Sequence, residues 1–125
     1  MIVLDASALI ALLKNEPGAD FVERHMEAPV MSTVNLAETL TRMAEDGGDA
    51  DAINENLHQG AIRFVHVSDD HALAAAQLRI PTKPWGLSLG DRLCLALGLE
   101  AGLPILTAER RWKEIDVGVE VLLIR

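Results

Sequence analysis

Apolar positions come in two rhythms along this chain. Ile2-Val3-Leu4 is an unbroken apolar run, the mark of a strand buried on both faces, and residues 7–14, rich in Ala, Leu and Ile, predict a helix closed by Asn15-Glu16-Pro17-Gly18. A second helix is predicted over residues 19–27, stopping before Pro29, with a very short strand at Val30-Met31. Ser32 suits the N-cap of a helix running through Val34, Ala37, Leu40, Thr41 and Ala44 to Gly47-Gly48, and Asp49 or Asp51 caps another to about Gln59. Residues 62–67 alternate as a strand does, and Ser68-Asp69-Asp70 opens a helix through His71, Leu73, Ala76 and Leu78. Residues 80–86, with two prolines and a glycine, predict a loop. Ser88 caps a helix to Ala101, and Gly102-Leu103-Pro104 turns into the strand Ile105-Leu106. Thr107 begins a short helix through Trp112, and residues 119–124 form a last strand. Strands alternating with helices predict one α/β domain over residues 1–125, a parallel sheet covered on both faces. The functional site of such a sheet lies beyond the carboxyl ends of its strands.

Composition narrows this little. Half of the 125 residues are hydrophobic, yet no apolar run is long enough to cross a bilayer. Asp5 interrupts the apolar start, which lacks a basic leader, so no signal peptide is expected. A single cysteine, Cys94, suits a reducing cytoplasm, and within Leu93-Cys94-Leu95 it reads as a core residue. The net charge of −8, from 19 acids against 11 Lys and Arg, argues against a broad basic surface for nucleic acid. It leaves room for a nuclease whose carboxylates hold metal ions, and for a basic protein partner.

The acids therefore decide the reading. Asp5, at the end of the first strand, is either a cap of the next helix or a functional carboxylate. Asp91 in Ser88-Leu89-Gly90-Asp91 fits a capping box, and Glu109 follows Thr107 at another helix start. Glu38 fits no such role, because it lies in the second turn from a cap at Ser32, among Leu36, Ala37 and Leu40. Strand one central in the sheet would bring these carboxylates to one edge, where they repel unless protonated or bridged by a cation. Oxygen ligands beside the hydroxyls of Ser7 and Thr107 suit Mg²⁺ or Mn²⁺, and no paired His/Cys spacing favours zinc. Residues 86–90 match G-x-S-x-G by chance: no strand precedes them, and all four histidines come earlier in the chain.

Val3-Leu4-Asp5-Ala6-Ser7, Ser32-Thr33-Val34-Asn35-Leu36-Ala37-Glu38, Leu87-Ser88-Leu89-Gly90-Asp91-Arg92 and Leu106-Thr107-Ala108-Glu109-Arg110, in that order, resemble the motifs of PIN-domain ribonucleases, and of VapC-type toxins most closely. The resemblance implies a five-stranded parallel sheet of order 3-2-1-4-5 flanked by helices. It implies Mg²⁺- or Mn²⁺-dependent endonucleolytic cleavage of RNA by water attacking in line, leaving a 5′-phosphate and a 3′-hydroxyl. Asp5, Glu38 and Asp91 would be the catalytic, metal-holding acids. Glu109 stands where the family usually has an aspartate, with Asp116 as the other candidate for the fourth acid, and Ser7, Asn35 and Thr107 match polar positions that support the ligands. Lys83, Arg92 and Arg110, with Arg79 and Arg111 nearby, are candidate RNA contacts; Trp85 and Trp112 are candidates for base stacking or for packing. A homodimer and a cognate antitoxin whose segment wraps the toxin are the implied partners. Two other classes remain: a catalytically silent PIN-like binding module, and a DNA nuclease or phosphatase built on similar carboxylates.

Overall fold

Side-chain alternation along the strands decides which residues face which helical layer. In the computed structural model, which describes all 125 residues, Met1–Arg125, β1 (Ile2–Leu4) lies at the centre of a parallel sheet. Around it stand β2 (Pro29–Ser32), β3 (Arg63–Val65), β4 (Ile105–Thr107) and β5 (Val121–Leu123), in the order β3-β2-β1-β4-β5. This is the order that the resemblance implies. Val3 pairs in register with Val30 on one side and Ile105 on the other.

Successive strand residues point to opposite faces, so the core divides in two. Val3, Val30, Ile105 and Val121 pack with Leu93–Leu97 segment residues Cys94, Leu95, Ala96 and Leu97 of helix α7 (Leu89–Ala101). Ile2, Leu4, Met31 and Leu106 pack on the other face with Ala8, Leu9 and Ala11 of α1 (Ala6–Lys14), Val22 of α2 (Ala19–Glu23) and Leu36 of α3 (Thr33–Glu45). Helix α4 (Ala50–Gln59), capped by Asp49, follows α3, and α5 (Asp69–Gln77), capped by Ser68, packs on α7. Asp5 continues the extended backbone (φ −77°, ψ 155°), so alternation turns it to the same side as Val3.

Three expectations change. The second helix ends at Glu23, and residues 24–27 are turns. Residues 80–86 are not a loop: α6 (Arg79–Thr82) and a 3₁₀ turn, Lys83–Trp85, carry the chain to Gly86. Both prolines lie in the first turn of their helical segments, where a backbone N–H has no intrahelical partner to lose. Thr82 closes the turn by donating its hydroxyl to the Leu78 carbonyl at 2.6 Å. Thr107, expected to open a helix, instead ends β4, and the helical turn after it is 3₁₀, Arg110–Glu114, with Glu109 at its N-cap. Trp112 is buried, which assigns it to the core rather than to base stacking, and Trp85 packs against the same cluster. No helix is long and apolar enough to cross a membrane.

Leu95, fully buried on the α7 face, tests this core. Leu95→Ala is expected to cost about 2–5 kcal/mol, read as a lower midpoint in chemical denaturation.

Candidate metal centre

Asp5 occupies the N-cap position of α1, yet its side chain makes no capping hydrogen bond. The carboxylate instead receives two hydroxyl protons on one oxygen. Ser7 Oγ donates to Asp5 Oδ2 at 2.6 Å, and Thr107 Oγ1 donates to the same oxygen at 2.9 Å. Each hydroxyl in turn accepts a backbone N–H, Ser7 from Ala108 and Thr107 from Glu109. Both hydroxyl protons are thereby aimed at a single oxygen of Asp5. Oδ1 is left without a protein partner.

The other two acids repeat this arrangement. Asn35 Nδ2, fully buried, donates to Glu38 Oε1 at 2.7 Å and lies 3.3 Å from the Gly90 carbonyl, so it ties α3 to α7. Asp91 Oδ2 accepts the Ser88 N–H at 3.0 Å while its own N–H donates to Ser88 Oγ, the capping box that the sequence suggests. Glu38 Oε2 and Asp91 Oδ1 remain without hydrogen-bond partners. Glu38 reaches this position only because residue 90 is glycine. A Cβ there would sit 2.6 Å from Glu38 Oε2 and 2.7 Å from its Cδ.

Asp5, Glu38, Asp91 and Glu109 line one cleft of about 400 Å³ beyond the strand ends. Asp116 does not line it. Burial raises the Asp5 carboxyl to about 6 despite the Ser7 and Thr107 hydrogen bonds, with the charges of Asp91 and Glu38 adding to the rise. Burial, opposed by the Asn35 hydrogen bond and reinforced by Asp91, also raises Glu38. Cys94 lies close enough to feel all three acids, and burial first, then their field, pushes its thiol up, so it is inert. As the side chains stand, no three Asp, Glu, His or Cys residues come close enough together to hold a metal ion. An open set of hard oxygens with room for water is what Mg²⁺ and Mn²⁺ take. With one oxygen pinned and the other free on each, Asp5, Glu38 and Asp91 are the residues that would hold such an ion.

The candidate RNA contacts lie elsewhere. Arg92 Nη1 donates to the Ala75 carbonyl at 2.9 Å, which makes it a tie between α7 and α5. Lys83 and Arg110 are exposed but outside the cleft. The cleft's own cations are Arg42 and Arg125. Neither stands among the candidate contacts that the sequence suggests.

Two outcomes follow from this geometry. A shift of the Asp5 carboxyl from 3.8 to about 6 corresponds to about 3 kcal/mol. The folded state holds that proton more tightly than the unfolded chain, so stability falls as pH rises from about 4 to about 6 and the whole cost stands above that range. Asp5→Asn removes the charge and keeps an oxygen for Ser7 and Thr107. In melts with a chelator, the variant should be the more stable protein near neutrality, and the gain should vanish at about pH 4. Gly90→Ala displaces the flexible end of Glu38 while gaining about 0.5–1 kcal/mol of helix propensity. Calorimetric titration should show weaker Mn²⁺ binding with an unreduced melting temperature.

Comparison with known proteins agrees with this architecture. The PIN domain family matches residues 2–118. The chain is 34% identical over 131 aligned positions to ribonuclease VapC30 of Mycobacterium tuberculosis, covering 96% of this chain and 98% of that protein. It is 33% identical to ribonuclease VapC of Mycolicibacterium smegmatis, covering 92% and 96%. A toxin–antitoxin complex from Klebsiella pneumoniae contains a chain of the same fold, with a TM-score of 0.80 at 17% identity and coverage of 100% of this chain and 98% of that one. With a matching profile across nearly the whole chain and ribonuclease relatives at a third identity, this chain belongs to the PIN-domain family, among the VapC ribonucleases.

Proposed function

We propose that this chain is a divalent-metal-dependent endoribonuclease that acts as the toxin of a toxin–antitoxin pair. The observation that carries the metal-centred reading is the division of labour within each carboxylate: Asp5, Glu38 and Asp91 each have one oxygen held by a protein donor and the other free. Bound there, Mg²⁺ or Mn²⁺ supplies a Lewis acid that activates water and offsets charge on the phosphodiester. The chain's own residues hold and orient. Ser7 and Thr107 hold Asp5 in place, Asn35 holds Glu38, and the Ser88 N–H holds Asp91. Glu109, whose carboxylate lines the cleft without a hydrogen-bond partner, is the fourth acid, its added methylene reaching further than an aspartate.

No side chain is poised as a nucleophile. The hydroxyl protons of Ser7 and Thr107 both go to Asp5, and Cys94 is buried in the core. An aspartyl-phosphate phosphatase would want a second aspartate at position 7, where this chain has Ser7. The partners in this reading are an RNA substrate, a second copy of the chain and a cognate antitoxin, in the cytoplasm. The complex from Klebsiella pneumoniae supports the antitoxin by kinship of fold, and the net charge of −8 suits a basic segment laid across the acidic cleft.

Asp5→Asn should abolish Mn²⁺-dependent RNA cleavage while leaving the far-ultraviolet spectrum unchanged. Glu38→Gln, keeping the Asn35 contact but losing a charge, should weaken Mn²⁺ binding in a calorimetric titration. Undiminished cleavage by the first variant, or equal Mn²⁺ binding by the second, overturns the assignment of that residue.

A further inference from the structure

The cleft that gathers the acids also has two arginines on its wall, Arg42 and Arg125. They come from opposite flanks, since β2 leads into α3 with Arg42 and β5 leads to Arg125, and these strands stand on opposite sides of β1. Arg42 lies one helical turn beyond Glu38, the i,i+4 spacing at which an acid and an arginine ordinarily pair. It does not pair with Glu38. Its Nε donates to Asp46 Oδ2 at 3.3 Å, and the Lys14 ammonium donates to that same oxygen. Arg42 and Lys14 thus share one carboxylate, and Glu38 stays free of a counter-ion.

The choice of nitrogen matters. A guanidinium has five N–H donors in a planar fork. With Nε engaged, both terminal nitrogens of Arg42 keep their protons without a protein partner, which is the end that grips a phosphate bidentately. Arg125 is held differently, through Nη1, which donates to the Pro17 carbonyl at 2.8 Å and lies 3.7 Å from Glu16 Oε1. Its Nε and Nη2 remain open. A polyanion entering a cleft lined by Asp5, Glu38, Asp91 and Glu109 meets repulsion, which fixed positive points at the rim offset.

We propose that Arg42 and Arg125 are the backbone-phosphate clamps of this site, gripping the RNA strand on either side of the bond presented to the acids. The inference rests on the ribonuclease reading and extends it to substrate binding. Asp46 and Lys14 act as positioning residues for Arg42, holding its fork away from Glu38.

The test measures binding of a short mixed-sequence single-stranded RNA across a range of KCl, with Mn²⁺ present, in an Asp5→Asn background that blocks cleavage. Arg42→Gln and Arg125→Gln are each compared with that parent. Arg24→Gln, an exposed arginine at the pocket beside Met1 and Ile2, serves as the control. Each cleft arginine removed should lower affinity several-fold and reduce the log–log salt slope by about 0.7, while Arg42→Gln and Arg125→Gln made in the chain that keeps Asp5 should bind Mn²⁺ no more weakly than the wild type. Either arginine whose loss leaves affinity and slope unchanged is no phosphate contact. An equal loss in Arg24→Gln, or a parallel loss of Mn²⁺ affinity in the cleft variants, also overturns the clamp. Failure of the wild type to bind and cleave RNA, or cleavage by the Asp5→Asn parent, overturns the ribonuclease site itself, a result separable from the others.

Discussion

The burial of one carboxylate at the end of the central strand sets the terms for everything around it. Asp5 is 3% exposed, and ionising it there is costly. The cost is met in part by the hydroxyls of Ser7 and Thr107, and those hydroxyls are themselves fixed by N–H groups of the Ala108-Glu109 turn. This small network spans β1, the start of α1 and the end of β4, so the buried acid and the strand pairing share the same bonds. A substitution that loosens the β4 turn therefore also loosens the acid.

The second constraint is the close approach of α3 and α7. Asn35 bridges them with one amide, holding Glu38 with one hydrogen and meeting the Gly90 carbonyl with the other. Gly90 lies where any side chain would collide with Glu38, and Asp91 follows it at once. Two acids from separate helices are thus set against each other by a glycine and an asparagine. Their charges work against one another and against that of Asp5, which adds to the effect of burial in raising the Asp5 and Glu38 carboxyls. The rim arginines do not offset this repulsion, because Asp46 and Glu16 hold them at the edge.

Several sequence expectations failed for identifiable reasons. Residues 80–86 read as a loop because Pro81 and Pro84 forbid long helices, but neither forbids a single turn in which it stands near the start. Thr107 read as a helix start, since Thr often caps; in the fold its hydroxyl is drawn to Asp5 instead. Arg92 looked like a phosphate contact because it follows Asp91, yet helical geometry turns successive side chains about 100° apart and sends it to the Ala75 carbonyl.

What the sequence determined by itself is whatever depends on neighbours along the chain. The buried runs at β1 and β4, the caps at Ser32, Ser68 and Ser88, and the capping box through Asp91 are local, and the pattern announces them. Glu38 stood out because no local role explained it. Only the tertiary structure decided which oxygen of each acid is held and which is free, that Glu109 rather than Asp116 lines the cleft, and that Arg42 and Arg125 are its cations. These facts rest on contacts between residues far apart in sequence, such as Thr107 with Asp5 and Asn35 with Gly90, whose distances are set by how the helices pack on the sheet. Periodicity along one chain carries no information about such distances.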